Sequence, residues 1–288
     1  MAAATDIGFL SDQPKWRARL VHSDTQVGLA INGKLTPPQL CVLLAAPWNP
    51  NAARMVMNFR EAGVNWVEWG VGFLGMMNPD GSYDFSQFDL NIRRILTLNP
   101  DAFINLRLRF DRSPEWWEKE HPDELIEYAS GSGEYEAEQA YRFRSASMAS
   151  MPWREKMRDT LSHFMEYMKA QPWSKRIVGV RVGYGVYGEW HYYGLARSMP
   201  DTGKAMTKAF RRYLGKKYTT DEALQKAWND SCVTLETAKV PGAKARWGRH
   251  LYLRDGAFDQ AVLDYYDCHG NEVSDTLLNA AQTVKAAD

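Results

Sequence analysis

A carboxylate flanked by aromatic residues follows a glycine-rich strand in the segment RIVGVRVGYGVYGEWHYYG, residues 176–194. Glu189 lies near the end of this segment, directly before Trp190. Aromatic neighbours exclude water from a carboxyl group, which raises its pKa and makes it a general acid near neutral pH. The pattern therefore predicts an acid catalyst at Glu189. The alternative is a structural ion pair between Glu189 and Arg181 or Arg107.

A second carboxylate, Glu68, lies between two tryptophans at the end of another predicted strand. Arg107, Arg109 and Arg181 occupy alternate positions of two further strands, so we expect them to point toward the same interior. These arginines can either bind substrate hydroxyl groups or orient the carboxylates, and we favour the second. We assign Glu68, Arg107 and Arg109 to the substrate-binding surface, with a direct catalytic role for Glu68 as the alternative.

Aromatic residues near the ends of predicted strands are candidates for stacking on the apolar face of a sugar ring. Trp116 and Trp117 follow the third strand, and adjacent residues on a regular element point in different directions. We therefore expect one of the two to lie in the core and the other to face a ligand. Trp48, Tyr187 and Trp190 are the other aromatic candidates for substrate binding.

Composition argues against several classes of protein. The chain of 288 residues carries 35 basic and 35 acidic side chains, so no excess charge favours nucleic acid or an anionic membrane. Its 3 cysteines and 6 histidines show no disulfide or metal-ligand spacing, and no phosphate-binding glycine loop occurs. No apolar run approaches the roughly 18 residues of a membrane span. We expect a cytoplasmic protein without metal or cofactor, unless a leader peptide was removed.

Short apolar runs alternate with amphipathic helical segments along most of the chain. Continuous apolar runs are typical of strands covered on both faces, which occur in parallel sheets. The helical segments between them indicate βαβ units. Before the first unit, Asn32 and Gly33 mark the turn of a hairpin. The predicted parallel strands are residues 41–46, 65–70, 102–110 and 177–185.

The third and fourth strands favour a barrel over an open sheet. In the third, apolar residues alternate with Asn105, Arg107 and Arg109. In the fourth, valines alternate with glycines and Arg181. A face of arginine and glycine does not fit beneath a second helical layer, but it fits a tapered barrel interior near a polar mouth.

The fold that we predict is a (β/α)8-type (TIM) α/β barrel with only its first four βα units. A complete barrel takes about 250 residues for eight units, whereas this chain becomes helical after the fourth strand. Residues 1–39 are predicted to be an N-terminal hairpin or lead-in. Residues 40–288 are predicted to be the first half of the barrel, with a helical insertion at about 200–250 in which Thr219 and Glu222 have capping-box spacing. We expect apolar surface to be exposed where the barrel is open.

Four segments carry a resemblance to a known family. They are NPDAFINLRLRFDRSPEWWEKEHPDE, SMASMPWREKMRDTL, VGYGVYGEWHYYG and FRRYLGKKYTTDEALQKAWND. Together they resemble the catalytic barrel of bacterial β-galactosidase-like glycoside hydrolases, family 42 and its relatives in clan A. The resemblance extends over about residues 30–285, and the last segment is its most specific part.

The resemblance implies a retaining glycosidase of carbohydrate metabolism, with Glu189 as the acid/base at the end of strand four. Two departures stand out: Gly188 replaces the usual asparagine, and the nucleophile that the family carries after strand seven has no counterpart. We therefore expect an incomplete enzyme that does not hydrolyse glycosides alone. Association with a missing C-terminal half or with a second copy is one expectation. A carbohydrate-binding or assembly module that has lost hydrolysis is the alternative.

Overall fold

The computed structural model describes residues 5–22, 24, 27–129, 145–192, 198–247 and 253–287. The strands are β1 Ala18–His22, β2 Val27–Ile31, β3 Lys34–Thr36, β4 Cys41–Leu43, β5 Trp66–Gly72, β6 Phe103–Phe110 and β7 Ile177–Tyr184. The helices are α1 Pro50–Glu61, α2 Ser86–Leu98, α3 Glu115–Glu120, α4 Met151–Lys169, α5 Lys204–Tyr218, α6 Asp221–Trp228, α7 Ala243–Trp247 and α8 Gly256–Ala287. The chain divides into two compact units. The first unit is residues 1–110, 160–183 and 283–288, and the second is residues 111–159 and 184–282.

The N-terminal strands β1, β2 and β3 form an antiparallel sheet in the first unit. Asn32 and Gly33 have φ of 50° and 82°, which suits a two-residue turn of the hairpin class, so the predicted hairpin is confirmed. Strand β1 was not predicted. The segment before it packs against the parallel sheet, because the Trp16 ring lies 5.8 Å from that of Phe103. The lead-in at residues 1–39 thus belongs to the same unit as the sheet.

The second sheet of the first unit has the strand order β4-β5-β6-β7. Parallel registers pair Val42 with Glu68 and Glu68 with Asn105. The four predicted strands are therefore neighbours in chain order, as expected. Strand β4 is shorter than predicted and ends at Leu43, because the chain turns away at Leu44, which is 88% exposed.

Helix α1 begins where the sequence places its cap. The Asn49 side chain accepts a hydrogen bond from the Asn51 backbone N–H at 2.9 Å, and Pro50 occupies the first helical position. Gly63 follows the helix with φ of 77°, a left-handed conformation that glycine adopts without strain. These local signals fix both ends of the connection between β4 and β5.

The parallel sheet has one apolar face covered by helices. Trp69 of β5 packs on Phe88 of α2 at 5.0 Å, and Phe88 packs on Phe164 of α4 at 4.8 Å. Such aromatic pairs contribute about 0.5–1.5 kcal/mol beyond their buried area. On β6, the alternation predicted from the sequence is confirmed, since Ile104, Leu106 and Leu108 are fully buried and the intervening polar residues are not.

The second unit is built mainly from α5, α6 and α8. Its core includes Met206, Phe210, Leu214, Leu224 and Tyr265. The predicted capping box is wrong by one residue. Thr220, not Thr219, caps α6, since its hydroxyl accepts from the Ala223 backbone N–H at 3.2 Å.

A buried carboxylate joins the three main helices of the second unit. The Asp264 side chain of α8 has no solvent exposure. It accepts hydrogen bonds from Lys217 Nζ, the Tyr218 hydroxyl and Trp228 Nε1, each at 2.7 Å. Buried charges are tolerated when they are paired and hydrogen-bonded in this way. The segment that carries the family resemblance therefore supplies three donors to one acceptor.

Candidate active site

The loop after β7 holds Glu189 in a constrained conformation in the second unit. Tyr187, Gly188 and Trp190 have φ of 51°, 73° and 61°, so three residues of this short loop are left-handed. Hydrogen bonds close the loop: the Trp190 N–H donates to Tyr184 O at 2.8 Å, and the Glu189 N–H donates to Val186 O at 2.9 Å. The backbone on both sides of Glu189 is therefore fixed.

The Glu189 carboxylate is exposed to solvent. Its side chain is 59% exposed, and Oε2 lies 3.5 Å from Nε2 of His191. Tyr187 is 57% exposed, and the Trp190 ring stacks on Tyr184 at 6.1 Å. Among the described residues, the aromatic enclosure predicted from the sequence is not formed, because more than half of the Glu189 side chain is exposed.

The polar face of the parallel sheet in the first unit carries Glu68. Its Oε2 accepts a hydrogen bond from Asn105 Nδ2 at 2.9 Å, and its Oε1 lies 3.7 Å from Arg181 Nη2. The predicted pairing of Glu68 with an arginine is found, and Arg181 is the partner. Gly179 leaves room for this contact, since a Cβ there would lie 2.5 Å from Asn105 Oδ1.

Arg107 and Arg109 lie on the same polar face as Glu68. In the register of the sheet they stand opposite Gly70 and Gly72 of β5. A Cβ at Gly70 would lie 3.6 Å from the Arg107 Cδ atom, so the arginine stem extends over the glycine. Together with Glu68, both arginines line a small depression. The structure thus brings these three predicted residues together in the first unit.

The predicted tryptophans have three different surroundings. Trp117 is 3% exposed and packs on Trp153 and His121, so it is the core member of the pair, and its assignment to substrate binding is corrected. Trp116 is half-buried, with Lys156 Nζ 5.9 Å from its ring centroid. Trp48, in the first unit, is 40% exposed beside the Arg94 guanidinium.

A buried polar network that was not predicted from the sequence lies behind the Glu189 loop. Ser113 Oγ donates to Glu118 Oε1 at 2.7 Å and accepts from the Ala146 N–H at 2.9 Å. The Tyr184 hydroxyl donates to the Ala146 carbonyl at 2.5 Å. Burial raises the pKa of Glu118 to about 7, against the hydrogen bond from Ser113. In the sequence, the only indication of this network was the run of serines in RSASMAS, residues 144–150.

Asp201 is a further buried carboxylate of the second unit. Asp201 Oδ2 accepts from the Ser147 hydroxyl at 2.5 Å, and Oδ1 accepts from the Gly203 N–H at 2.8 Å. Burial raises the pKa of Asp201 to about 6, although these hydrogen bonds oppose the rise.

Among the described residues, no group of histidine, cysteine and carboxylate side chains could hold a metal ion. No helix in the described part of the chain is long and apolar enough to cross a membrane.

The parallel sheet, the helices on its apolar face and the carboxylate beyond its fourth strand define an α/β protein of the TIM-barrel class. A family model described as β-galactosidase, glycoside hydrolase family 42, matches residues 47–233. The chain therefore belongs to this family. No curated protein matches it.

Solved structures share the fold. The β-galactosidase from the psychrophilic Marinomonas ef1 is 18% identical with a TM-score of 0.60, and the match covers 86% of this chain and 35% of that one. The β-galactosidase from Bacillus circulans sp. alkalophilus is 22% identical with a TM-score of 0.59, covering 86% and 34%. The catalytic domain of β-amylase from Paenibacillus polymyxa is 15% identical with a TM-score of 0.63, covering 86% and 62%. The chain spans about a third of the length of these β-galactosidases.

Proposed function

We propose that this chain forms the acid/base half of a retaining β-galactosidase-type site, with Glu189 as the acid/base. The observation that carries the proposal is the fixed loop that presents an accessible Glu189 immediately after the fourth strand of a parallel sheet. Catalytic residues of TIM barrels lie at the C-terminal ends of strands. Membership of family 42 makes a glycosidic bond the bond to be broken.

Glu189 gives its proton to the leaving oxygen as the glycosidic bond breaks, and it then accepts a proton from water in the second step. The left-handed residues around it fix the direction of the carboxyl group before the substrate arrives. His191 Nε2, 3.5 Å from the carboxylate, is placed to exchange this proton with solvent.

The polar face of the sheet in the first unit offers, on its own, groups that bind sugar hydroxyls. Glu68 accepts hydroxyl hydrogen bonds, whereas Arg107 and Arg109 donate to hydroxyl oxygens. Glu68 binds rather than attacks, because Asn105 and Arg181 already engage its two oxygens. A retaining mechanism also needs a nucleophile about 5–5.5 Å from the acid/base. We assign that role to none of the described carboxylates.

An external nucleophile tests the role of Glu189 on the chain itself. The substrates are two aryl β-galactosides whose phenols are good and poor leaving groups, with and without sodium azide. Azide attacks the anomeric carbon, the glycosidic C–O bond breaks, and the departing oxygen takes the Glu189 proton, which gives galactosyl azide and the phenol. We expect azide-dependent release of both phenols, and a loss of about 10²- to 10⁴-fold for the poor leaving group in Glu189→Gln.

The good leaving group should change little in Glu189→Gln, since it needs little protonation. The matched control is Glu236→Gln, an exposed glutamate of the same unit, which should leave both rates unchanged. Equal losses on both substrates would make Glu189 a structural residue. No azide-dependent release by the parent chain would remove the proposed site altogether.

A further inference from the structure

The loop that carries Glu189 is flanked by two tyrosines of the second unit. Tyr184 precedes Glu189 by five residues, and Tyr192 follows it by three. Both tyrosines are buried, although Glu189 between them is open to solvent. A buried tyrosine hydroxyl normally has a hydrogen-bond partner. The partners of these two hydroxyl groups therefore determine what the ends of the loop are attached to.

Both hydroxyl groups bind the backbone of one short segment, residues 145–148, which we call the anchor segment. The Tyr184 hydroxyl donates to the Ala146 carbonyl at 2.5 Å. The Tyr192 hydroxyl accepts from the Met148 N–H at 2.7 Å. Two residues of chain span at most about 7 Å. The two ends of the Glu189 loop are thus attached to neighbouring points of the same backbone.

The anchor segment is itself held by hydrogen bonds to other parts of the second unit. The Ala146 N–H donates to Ser113 Oγ at 2.9 Å, and the Met148 carbonyl accepts from Arg154 Nη2 at 2.7 Å. All four residues of the anchor segment are buried. Buried backbone with satisfied hydrogen bonds belongs to the part of a protein that opens least readily. The tyrosines therefore attach the loop to a well-supported segment.

Asp201 supports the second tyrosine. Its Oδ2 atom accepts from the Ser147 hydroxyl at 2.5 Å and lies 3.5 Å from the Tyr192 hydroxyl. The Tyr192 hydroxyl can thus accept from the Met148 N–H and donate to Asp201 at the same time. A phenylalanine at residue 192 keeps the ring but leaves the Met148 N–H without this acceptor. The hydroxyl group, rather than the ring, makes the connection to the anchor segment.

We propose that Tyr184 and Tyr192 are positioning residues, which hold the Glu189 carboxyl in the direction of proton transfer through their shared attachment to the anchor segment. This inference rests on the proposed function of Glu189. Because both tyrosines are buried, they act through the backbone of the loop rather than on the sugar. A misplacement of about 1 Å at a reacting group can slow a reaction about 100-fold.

The experiment compares Tyr192→Phe with the parent chain in the azide-dependent release of phenols from the two aryl β-galactosides. A poor leaving group needs the Glu189 proton, whereas a good one needs little protonation. We expect kcat for the poor leaving group to fall about 10- to 100-fold, with little change in KM or in the rate for the good one. The ratio of the two rates does not depend on the fraction of folded protein, so a purely structural role leaves it unchanged. Tyr184→Phe should act in the same direction.

Tyr218→Phe is the matched control. The Tyr218 hydroxyl donates to the buried Asp264 at 2.7 Å in the same unit, so this variant also loses a hydrogen bond to a buried group. The ratio of the two rates should stay at the parent value. In the double variant, Tyr192→Phe should cause no further loss beyond that of Glu189→Gln for the poor leaving group, because the acid that it positions is gone.

Hydrogen exchange provides a readout that needs no activity. In Tyr192→Phe, the backbone amides of Glu189 and Trp190 should exchange about tenfold faster, while those of α6 stay at the parent rate. The inference is overturned by an unchanged rate ratio in both phenylalanine variants of an active chain, by an additive loss in the double variant, or by unchanged exchange of the loop amides. No azide-dependent release by the parent chain is a different result, which removes the proposed function. The exchange rates alone then decide whether Tyr192 holds the loop.

Discussion

Gly185 and His191 approach so closely that a side chain at Gly185 would collide with the His191 carbonyl oxygen. The two residues form a parallel bridge, and the adjacent Val186 N–H donates to the same carbonyl at 3.0 Å. Gly185 also has φ of 71°. The Glu189 loop therefore depends on the absence of a side chain at this position.

We expect Gly185→Ala to lower the free energy of unfolding by about 1–3 kcal/mol, because strain in the left-handed region adds to the collision. Sugar binding and any Glu189-dependent reaction should weaken as well. Chemical denaturation and calorimetry measure the two effects. The control is Gly215→Ala in helix α5, where no atom lies within 4 Å of the added methyl group and a gain of about 0.5–1 kcal/mol is expected. Equal effects at both positions would contradict the proposed constraint.

The buried Glu118 should make stability depend on pH. Its pKa is raised to about 7 in the folded chain from a reference value of 4.5, so the folded state retains a proton that the unfolded state has lost. The free energy of unfolding should therefore fall as the pH rises from about 4.5 to about 7, by about 3 kcal/mol from this group. Above pH 7 the contribution is constant.

Glu118→Gln isolates this contribution because the amide does not titrate. The unfolding free energy of the parent minus that of the variant should be measured by urea denaturation from pH 4 to pH 8. This difference should fall as the pH rises from about 4.5 to about 7. Asp201, with a pKa of about 6, acts in the same direction, and His269, whose pKa burial lowers to about 4, acts oppositely. Both remain in the variant and cancel in the difference. The control is the exposed Glu115→Gln on the same helix, and the difference between the parent and this variant should change little across that window.

Local patterns predicted much of the first unit. The alternation along β6 separated Arg107 and Arg109 from the buried leucines, and Asn49 with Pro50 located the start of α1. The pairing of Glu68 with an arginine followed from three arginines on the same predicted face. These features depend on periodicity and capping, which act over a few residues.

Features that depend on tertiary packing were not predictable. Nothing near Glu189 in the sequence shows that Tyr187 and Trp190 adopt left-handed conformations, or that the Glu189 side chain is 59% exposed. The choice of Trp117 over Trp116 for the core is made by Trp153, which lies on a different helix. Asp264 has no special neighbours in sequence, and its donors Lys217 and Trp228 come from other helices.

Asp264 should be critical for the stability of the second unit. Asp264→Ala leaves Lys217, Tyr218 and Trp228 without their shared acceptor, and removal of one partner from a buried ionic network costs about 3–5 kcal/mol. We expect a loss of this size in guanidinium denaturation, with the far-ultraviolet circular dichroism reporting loss of helix. Asp267→Asn is the control, because Asp267 is 65% exposed and lies 3.9 Å from Lys217. A comparable loss in Asp267→Asn would show that solvent-exposed charge, not the buried network, stabilises this unit.

Gly188→Asn should strengthen sugar binding. The family resemblance places an asparagine directly before the acid/base, and an amide there can donate to a substrate hydroxyl. Gly188 has φ of 73°, a conformation that asparagine tolerates better than other side chains do. One added hydrogen bond contributes about 0.5–1.5 kcal/mol, so we expect β-galactoside affinity to rise about two- to tenfold in calorimetry. Gly188→Ala, which adds the strain without the amide, should lower the affinity. If asparagine and alanine weaken binding equally, the side chain at residue 188 does not reach the sugar.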